Sequence, residues 1–587
     1  MPDPAEALAT LVGLGADQSG AVALAVSTTS EGTIAAVGLA TSAGSVTWAG
    51  AHRELVDAIG AVEDALHPRW VLWSQDTARA LVDAGVRVAR CWDLAAVHRL
   101  LFGGWRAEPG RVWAALHDLP SSSIPETRPV DLFTALEPDD GDLDEPLRTD
   151  GHLRPEWTDG GWATPPRIVR WAELALTASI QQEARISGLL AERPAALRTA
   201  RAESTAELLC AELAADGLPL NRAMAEAIVA GFVGPRPRTE AEAAEQRASR
   251  DDEVLRHAPP GGNFDLRSPG QVKSLLRFVG IEVPDTRAWR LEEHRADHPL
   301  VEALLVWRKA ERVSTTYGYS WLDQQVDADG RLRGEWSGAD GAAGRMTASA
   351  GLHNLPADLR PAVVAEPGHV FVRADLGQIE PRVLAAVSGD AALARATADD
   401  DMYAPVARQL SVDRPTAKVA VLGTMYGQTT GLGAHLLPRL RSTYPVAMDF
   451  LDDADRAGQV GRELRTYGGR LVRFGSASTD GVSDREARSS AAARGRYGRN
   501  AMIQGAAAEL FKVWAVTVRA RGSAMGARIV LCLHDELVIQ APMEHGDAVA
   551  DLVEQCLQEA VRRWAPGTPV RFVADISVLA RWSDAKD

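Results

Sequence analysis

The residues best suited to chemistry lie in three short stretches. The first is His534-Asp535-Glu536, set between two apolar, β-favouring runs, Ile529–Leu533 and Leu537–Ile539. The runs read as strands folded back on each other with the triplet at the turn. His-Asp suits a two-residue hairpin poorly, where Asn-Gly or Asp-Gly is favoured, so the acids call for another reason. Taken alone, the triplet also fits a solvated acidic turn. The second stretch is Asp375, which closes the buried-type strand His369–Ala374 and precedes Leu-Gly-Gln-Ile-Glu-Pro-Arg. Two carboxylates facing each other across a sheet can bridge divalent cations about 3.5–4 Å apart, stabilising the attacking and leaving oxygens of a phosphoryl transfer. Carboxylate oxygens suit hard Mg2+. The third stretch is Arg414–Gly427, in which Arg414, Lys418 and Leu422 recur every four residues on one helix face. Asp413 reads as its N-cap and Pro415 as a first-turn residue. A forked guanidinium beside a compact ammonium suits a triphosphate. A solvated amphipathic helix gives the same stripe.

These groups need elements to hold them. Residues 1 to about 120 read as an α/β unit, with strands at Ala21–Val26, Thr33–Leu39 and Trp70–Trp73 and helices at Glu54–Leu66 and Thr77–Asp83. Ser121–Pro166 is rich in Pro, Asp and Gly and carries the acids Asp139, Asp140, Asp142, Asp144 and Glu145, which predicts a loosely packed connector. Helical, Ala-rich periodicity runs from Arg167 to Gly234, is interrupted by an irregular charged stretch at Pro235–Asn263, and resumes from Pro269 to about Leu322. Beyond Asp375 the pattern is helical from Ile379 to about Leu440 and from Ser489 to about Ala520. The hairpin, a helix over Gly546–Trp564 and a strand near Val570–Val578 follow. Helices placed between strands of one sheet predict a module inserted into an α+β domain.

Composition bounds the rest. At 587 residues the chain exceeds what one core supports, and roughly three to four domains are expected. The four cysteines (Cys91, Cys210, Cys532, Cys556) have no C-x-x-C spacing, which argues against a zinc site or disulfide framework. A net charge of −16 argues mildly against a nucleic-acid partner, although the sign of one groove matters more than the sum. Lysine occurs only at 273, 309, 418, 512 and 586 in an Arg-rich chain, so each retained ammonium invites a reason. No run of about 18 uncharged apolar residues and no basic leader are present, which predicts a cytoplasmic protein with no membrane role.

Together the three stretches resemble the polymerase module of family A DNA polymerases of the bacterial DNA polymerase I type. Asp375–Arg382 reads D-L-G-Q-I-E-P-R where the family has D-Y-S-Q-I-E-L-R. Arg414–Gly427 matches R-x-x-x-K-x-x-x-F-G-x-x-Y-G except for Leu422 at the Phe position, and His534-Asp535-Glu536 matches H-D-E. Further likenesses lie at Gly344-Arg345-Met346-Thr347, Leu352–Pro356, Asn263–Gln271 and Asn500–Ala508, with Arg496 upstream. The resemblance implies a right-hand polymerase of α+β class, with palm, fingers and thumb, preceded by an α/β RNase H-like domain of exonuclease type. It implies a degenerate exonuclease-like domain and linker over 1–165, thumb over 166–325, palm over 326–390 and 501–587, and fingers over 391–500.

By the same resemblance Asp375 and Asp535 would hold two Mg2+ ions, with Mn2+ as a substitute, helped by the Leu376 carbonyl and supported by Glu536. Arg414 and Lys418 would bind the triphosphate, Lys418 also giving a proton to leaving pyrophosphate. Glu380 would be the gate against a ribose 2′-hydroxyl, and Gln378, Leu422 and Tyr426 would border the dNTP. Arg345, Asn354, Arg496, Asn500, Gln504 and His534 would contact DNA. The implied reaction is attack of a primer 3′-hydroxyl on the α-phosphate of a dNTP, directed by a template and carried out by a monomer at the nucleoid.

Leu422 departs from the family by removing an aromatic ring near the nucleotide. The proofreading chemistry of such N-terminal domains needs a D-x-E pair on the first strand, whereas Ala23–Thr29 has no acid; Asp76 and Asp93 alone cannot build that site. The domain therefore reads as an exonuclease remnant, and the chain starts too close to it for a flap-nuclease domain. The alternative of another class is a catalytically weak accessory protein that binds primer–template junctions.

Overall fold

The computed structural model describes residues 3–18, 20–126, 142–259, 262, 264–341, 343–428, 432–474 and 483–585, the side chains of 432–434 excepted. The chain folds as two compact units, one formed by 1–216, 335–348 and 368–579, the other by 217–334, 349–367 and 580–587. Asn263, Asp139 and Asp140 lie outside the described residues.

The first unit opens with helix α1 (Pro4–Gly13), capped by the Asp3 carboxylate on the Glu6 N–H. Strands β1 (Ala21–Thr28), β2 (Ile34–Thr41), β3 (Gly44–Ala49), β4 (Arg69–Leu72) and β5 (Cys91–Asp93) form a sheet of order β3-β2-β1-β4-β5. β1, β2 and β3 are antiparallel neighbours, whereas β4 and β5 run parallel to β1. Helices α2 (His52–Leu66), α3 (Gln75–Asp83), α4 (Leu94–Phe102) and α5 (Pro109–Leu116) complete this region. Successive β1 side chains enter different cores, Ala23 and Ala25 one and Val22, Leu24 and Val26 the other, so the strand is buried on both faces. α6 (Pro165–Leu189) lies on this sheet, and a Cβ on Gly38 would sit 2.3 Å from the Ile168 carbonyl oxygen. α7 (Ala196–Asp216) follows and is buried along most of its length. The sequence reading lacks β3 and β5: β3 lies among small residues (Ser42-Ala43 and Gly50-Ala51) that read as turn, and β5 is three residues long beside Arg90. The described part of the expected loose connector, 142–164, is packed: Trp157 is fully buried and donates its Nε1–H to the Leu143 carbonyl at 3.0 Å.

The second unit holds the two-stranded pair β6 (Leu218–Pro219) and β7 (Arg331–Leu332) and helices α8 (Arg222–Val233), α9 (Glu240–Leu255), α10 (Pro269–Phe278), α11 (Ala288–Glu292), α12 (Pro299–Thr316) and α13 (Tyr319–Gln325). Val254, Val272, Leu275, Leu304 and Trp307 lie in its core. The stretch read as irregular, 235–263, contains α9. Thr239 caps that helix, and because only Val254 is buried its sequence shows no apolar stripe.

The chain returns to the first unit with the pair β8 (Trp336–Asp340) and β9 (Arg345–Ala348), then β10 (His369–Leu376). Helices α14 (Ile379–Ser388), α15 (Ala391–Ala396), α16 (Tyr403–Leu410), α17 (Arg414–Met425), α18 (Leu432–Thr443) and α19 (Pro445–Gln459) follow. After the pair β11 (Leu464–Arg465) and β12 (Leu471–Val472) comes the 39-residue α20 (Asp484–Gly522), whose apolar stretch is buried inside the unit. β13 (Arg528–Leu533), β14 (Glu536–Pro542), α21 (Gly546–Trp564) and β15 (Ala574–Leu579) complete an antiparallel sheet of order β13-β14-β10-β15. This sheet joins strands from distant parts of the chain and so carries both acidic stretches.

Candidate active site

The β13–β14 hairpin turns through His534 and Asp535, while Glu536 is already the first residue of β14, opposite Leu533. β10 is the next strand, and its register sets Asp375 beside Glu536. The Leu376 N–H donates to the Asp535 carbonyl at 2.8 Å, so the backbone itself joins the two acidic stretches. Asp375 thus lies within β10, one residue before the strand ends.

Crowded acids need a counter-charge, and Arg373 supplies one. Side chains two apart on a strand share a face. The Arg373 guanidinium accordingly lies 3.0 Å from Asp375, 3.2 Å from Glu536 and 3.6 Å from Asp575. Burial and the nearby charge of Asp535 still push the Asp375 carboxyl up to about 6. Burial also raises the Asp535 carboxyl. No cluster of three or more His, Cys, Asp or Glu suited to a metal occurs among the described residues, so any cation would rest chiefly on this carboxylate pair. The donor set fits a hard divalent ion: two carboxylates on adjoining segments, with a like-charge strain that a cation would relieve.

A second constellation adjoins the first. Glu380, in the first turn of α14, accepts from Arg345 Nη2 at 2.7 Å and from the Tyr426 hydroxyl at 2.6 Å. Burial and this bond raise the Tyr426 phenol. Burial and the Arg345 charge lower His534, which also feels Asp535 and Glu380, so the two constellations share one electrostatic neighbourhood. The turn before α14 is fixed by Arg382. This buried guanidinium donates to the carbonyls of Gly377, Thr397, Asp399, Asp400 and Arg571 and to the Gln378 side chain. Gln378 has φ +51°, a left-handed conformation uncommon outside glycine, and its amide oxygen also accepts from the Met402 N–H.

On α17, Asp413 Oδ1 accepts from the Thr416 N–H at 2.8 Å, and Pro415 stands in the first turn. Arg414 pairs with Asp401 at 2.5 Å and lies over the Tyr403 ring, whose phenol burial and Glu380 raise to about 12. Lys418 is exposed, with no acid partner among the described residues, and Leu422 is half-buried. Arg496, Asn500 and Gln504 recur at four-residue steps on α20, where the Arg496 side chain lies against Gly427. Asn500 Oδ1 is buried without a hydrogen-bond partner.

The first unit therefore brings together Asp375, Leu376, Asp535, Glu536, His534, Glu380, Arg345 and Tyr426, with Arg414 reaching toward them through Tyr403. Asn354 belongs to the second unit, where its carbonyl accepts from the Tyr317 hydroxyl at 2.7 Å. Sequence reasoning passed over Arg373 and Arg382. A charged residue inside an apolar strand was the available signal for the first. The second is the last residue of the Asp375–Arg382 motif, whose acids draw the attention.

The chain matches the family described as DNA polymerase family A over residues 237–584, more than half its length. Among curated relatives it is 31% identical over 385 residues to "DNA polymerase I, thermostable" of Thermus aquaticus, covering 59% of this chain and 45% of that protein. It is 26% identical over 369 residues to "DNA polymerase I" of Deinococcus radiodurans, covering 56% of this chain and 37% of that protein. Each match spans less than half the relative's length. The solved "POL domain of Pol1 from M. smegmatis complex with DNA primer-template and dNTP" superposes with a TM-score of 0.69 at 22% identity, covering 99% of both chains, which shows a shared fold.

Proposed function

The chain belongs to DNA polymerase family A, of the DNA polymerase I type, and from that premise we propose that it is a DNA-templated DNA polymerase that extends a primer 3′ end with dNTPs. The observation that carries the reading is the register that sets Asp375 beside Glu536, with the Asp535 carbonyl bound to Leu376. In this reading Asp375 and Asp535, with the Leu376 carbonyl, would hold two divalent cations, Mg2+ by hardness and Mn2+ as a substitute. When bound, such ions neutralise charge on the attacking and leaving oxygens.

The chain's own groups do the positioning. Glu536, anchored on Arg373, supports the carboxylate pair. Arg414 exchanges Asp401 for the triphosphate and exposed Lys418 meets the same phosphates, giving a proton to leaving pyrophosphate. Glu380, held by Arg345 and Tyr426, stands against the 2′ position of the sugar. Gln378 and Leu422 border the nucleotide, and Arg345, Asn354, Arg496, Asn500, Gln504 and His534 hold primer and template.

The division proposed is an exonuclease-type domain and linker over 1–165, thumb over 166–325, palm over 326–390 and 501–587, and fingers over 391–500. The strand order β3-β2-β1-β4-β5 supports an RNase H-like first domain. Its β1 bears no carboxylate, and the buried Asp93 is engaged as the N-cap of α4, which supports a domain without proofreading. The enzyme is proposed to act as a cytoplasmic monomer at the nucleoid. Primer extension on a primed template with dNTPs and Mg2+ tests the activity; a wild-type chain that binds the template but adds no nucleotide refutes it. Mg2+-dependent trimming of a mismatched 3′ end that survives Asp535→Ala refutes the proofreading assignment.

A further inference from the structure

One cavity in the first unit lies outside the constellations described above. It encloses about 750 Å3, a volume in the range that holds a small organic ligand. Its walls come from the end of α4, from α5, from β12 and from α20. Five arginines line it (Arg99, Arg106, Arg111, Arg470 and Arg473), against one acid, Asp118. This concentration is notable in a chain whose net charge is −16.

The inner arginines already hold acid partners. Arg99 pairs with Glu207 and Arg470 with Glu203, each at 2.6 Å, and Arg111 lies 3.5 Å from Glu108. The Nε atoms of Arg99 and Arg470 are sealed from the cavity, and Arg470 is only 3% exposed. The cations of the cavity that a ligand can reach are therefore the outer arginines, Arg106 and Arg473. The outer two hold solvent-facing pairs, Arg106 with Glu108 at 3.0 Å and Arg473 with Glu463 at 3.2 Å. Pairs of this kind contribute little and exchange readily for phosphate. Two exposed aromatic side chains stand in the wall beside Phe102: Trp105, 74% exposed, and Tyr497, 42% exposed. Exposed rings beside arginines suit the stacking of unpaired bases while guanidinium groups follow the backbone. Tyr497 also directly follows Arg496 on α20, at the edge of the stripe assigned to DNA.

We propose that this cavity binds unpaired nucleotides of a single strand, with a base on Trp105 and phosphates on Arg106 and Arg473. On the polymerase reading, on which this identification of the strand rests, the occupant is template ahead of the primer end.

The test uses the full chain and a short fluorescein-labelled oligothymidylate, with anisotropy recorded across a salt series. Trp105→Ala is expected to weaken binding roughly fivefold or more, the loss of one base stack. Arg106→Ala with Arg473→Ala is expected to make the slope of log affinity against log salt shallower by about 1.4, two single-strand phosphate contacts. Both variants alter exposed side chains and leave the core intact. Variants that bind with wild-type affinity and slope overturn the proposal. Displacement of the oligonucleotide by free dTMP at equal nucleotide concentration overturns the strand assignment in favour of a mononucleotide pocket. Primer extension run in parallel separates the two readings. A chain that extends primers while its variants bind unchanged refutes only the cavity. A chain that extends nothing while its variants lose the oligonucleotide refutes the polymerase reading and keeps the site.

Discussion

Replacing Glu380 tests sugar discrimination, because the structure fixes this carboxylate from both sides. One oxygen accepts from Arg345 and the other from Tyr426, at 2.7 and 2.6 Å, and the side chain is 12% exposed. Arg382 and Gln378 hold the turn beneath it. If Glu380 is the proposed gate, a carboxylate this well held would not swing aside for a 2′-hydroxyl. On that proposal an incoming ribonucleotide would bury the hydroxyl without a full set of partners, a loss of about 1–3 kcal/mol. At 1.4 kcal/mol per tenfold, Glu380→Ala should lower the preference for dNTP over rNTP by roughly 5- to 150-fold. The same change strips Arg345 and Tyr426 of their acceptor, so extension with dNTPs slows as well. The ratio of the two kcat/KM values is therefore the readout, measured by single-nucleotide insertion with matched dNTP and rNTP. Tyr426→Phe is the control, since it removes one hydrogen bond but leaves Glu380 pinned by Arg345; its ratio should stay within about threefold of wild type. An unchanged ratio in Glu380→Ala, or an equal relaxation in Tyr426→Phe, refutes the gate argument.

Other expectations are simpler. Arg373→Ala removes the cation wedged among Asp375, Glu536 and Asp575 and should tighten Mn2+ binding about tenfold by paramagnetic titration; weaker or equal binding contradicts the counter-ion role. Lys512→Met removes one of two buried cations on Glu203, which keeps Arg470 at 2.6 Å, and should cost about 1.5–3 kcal/mol in urea unfolding, the loss of one charged hydrogen bond; a loss below about 0.5 kcal/mol contradicts this. Glu509 is buried and its carboxyl is pushed up to about 7, above the ordinary carboxylate range. The folded state then holds a proton that the unfolded chain releases earlier, so stability is full at low pH and falls as pH rises through about 7. In Glu509→Gln, whose amide keeps the Thr466 and Gly468 contacts, that decline should flatten in melts from pH 5 to 8, and an unchanged slope refutes the assignment.

What was legible in the sequence was mainly local. Asp413 and Pro415 announce α17 because caps and first turns are decided within a few residues. The His534–Glu536 hairpin is bounded by strands whose apolar runs need no distant partner to be recognised. What escaped depends on contacts across the chain. Arg382 finds acceptors as far off as Arg571, and the unusual Lys512 finds Glu203 309 positions away. Arg373 matters only because the β10–β14 and β10–β15 registers gather acids around it. α9 was missed for the opposite reason: a helix with a single buried residue has no periodicity to read. The packing of 142–164 rests on isolated apolar residues such as Trp157, which composition-based reading of a Pro- and Asp-rich stretch passes over.

The central claim is that Asp375 and Asp535 form one site for metal-assisted nucleotidyl transfer. Primer extension by the wild-type chain and by Asp535→Asn, with Mg2+ and all four dNTPs, tests it most directly when primer–template binding is measured on the same samples. The account predicts extension by the wild type, none detectable by the variant, and similar DNA affinity for both. Asp535→Asn extending at the wild-type rate would contradict it.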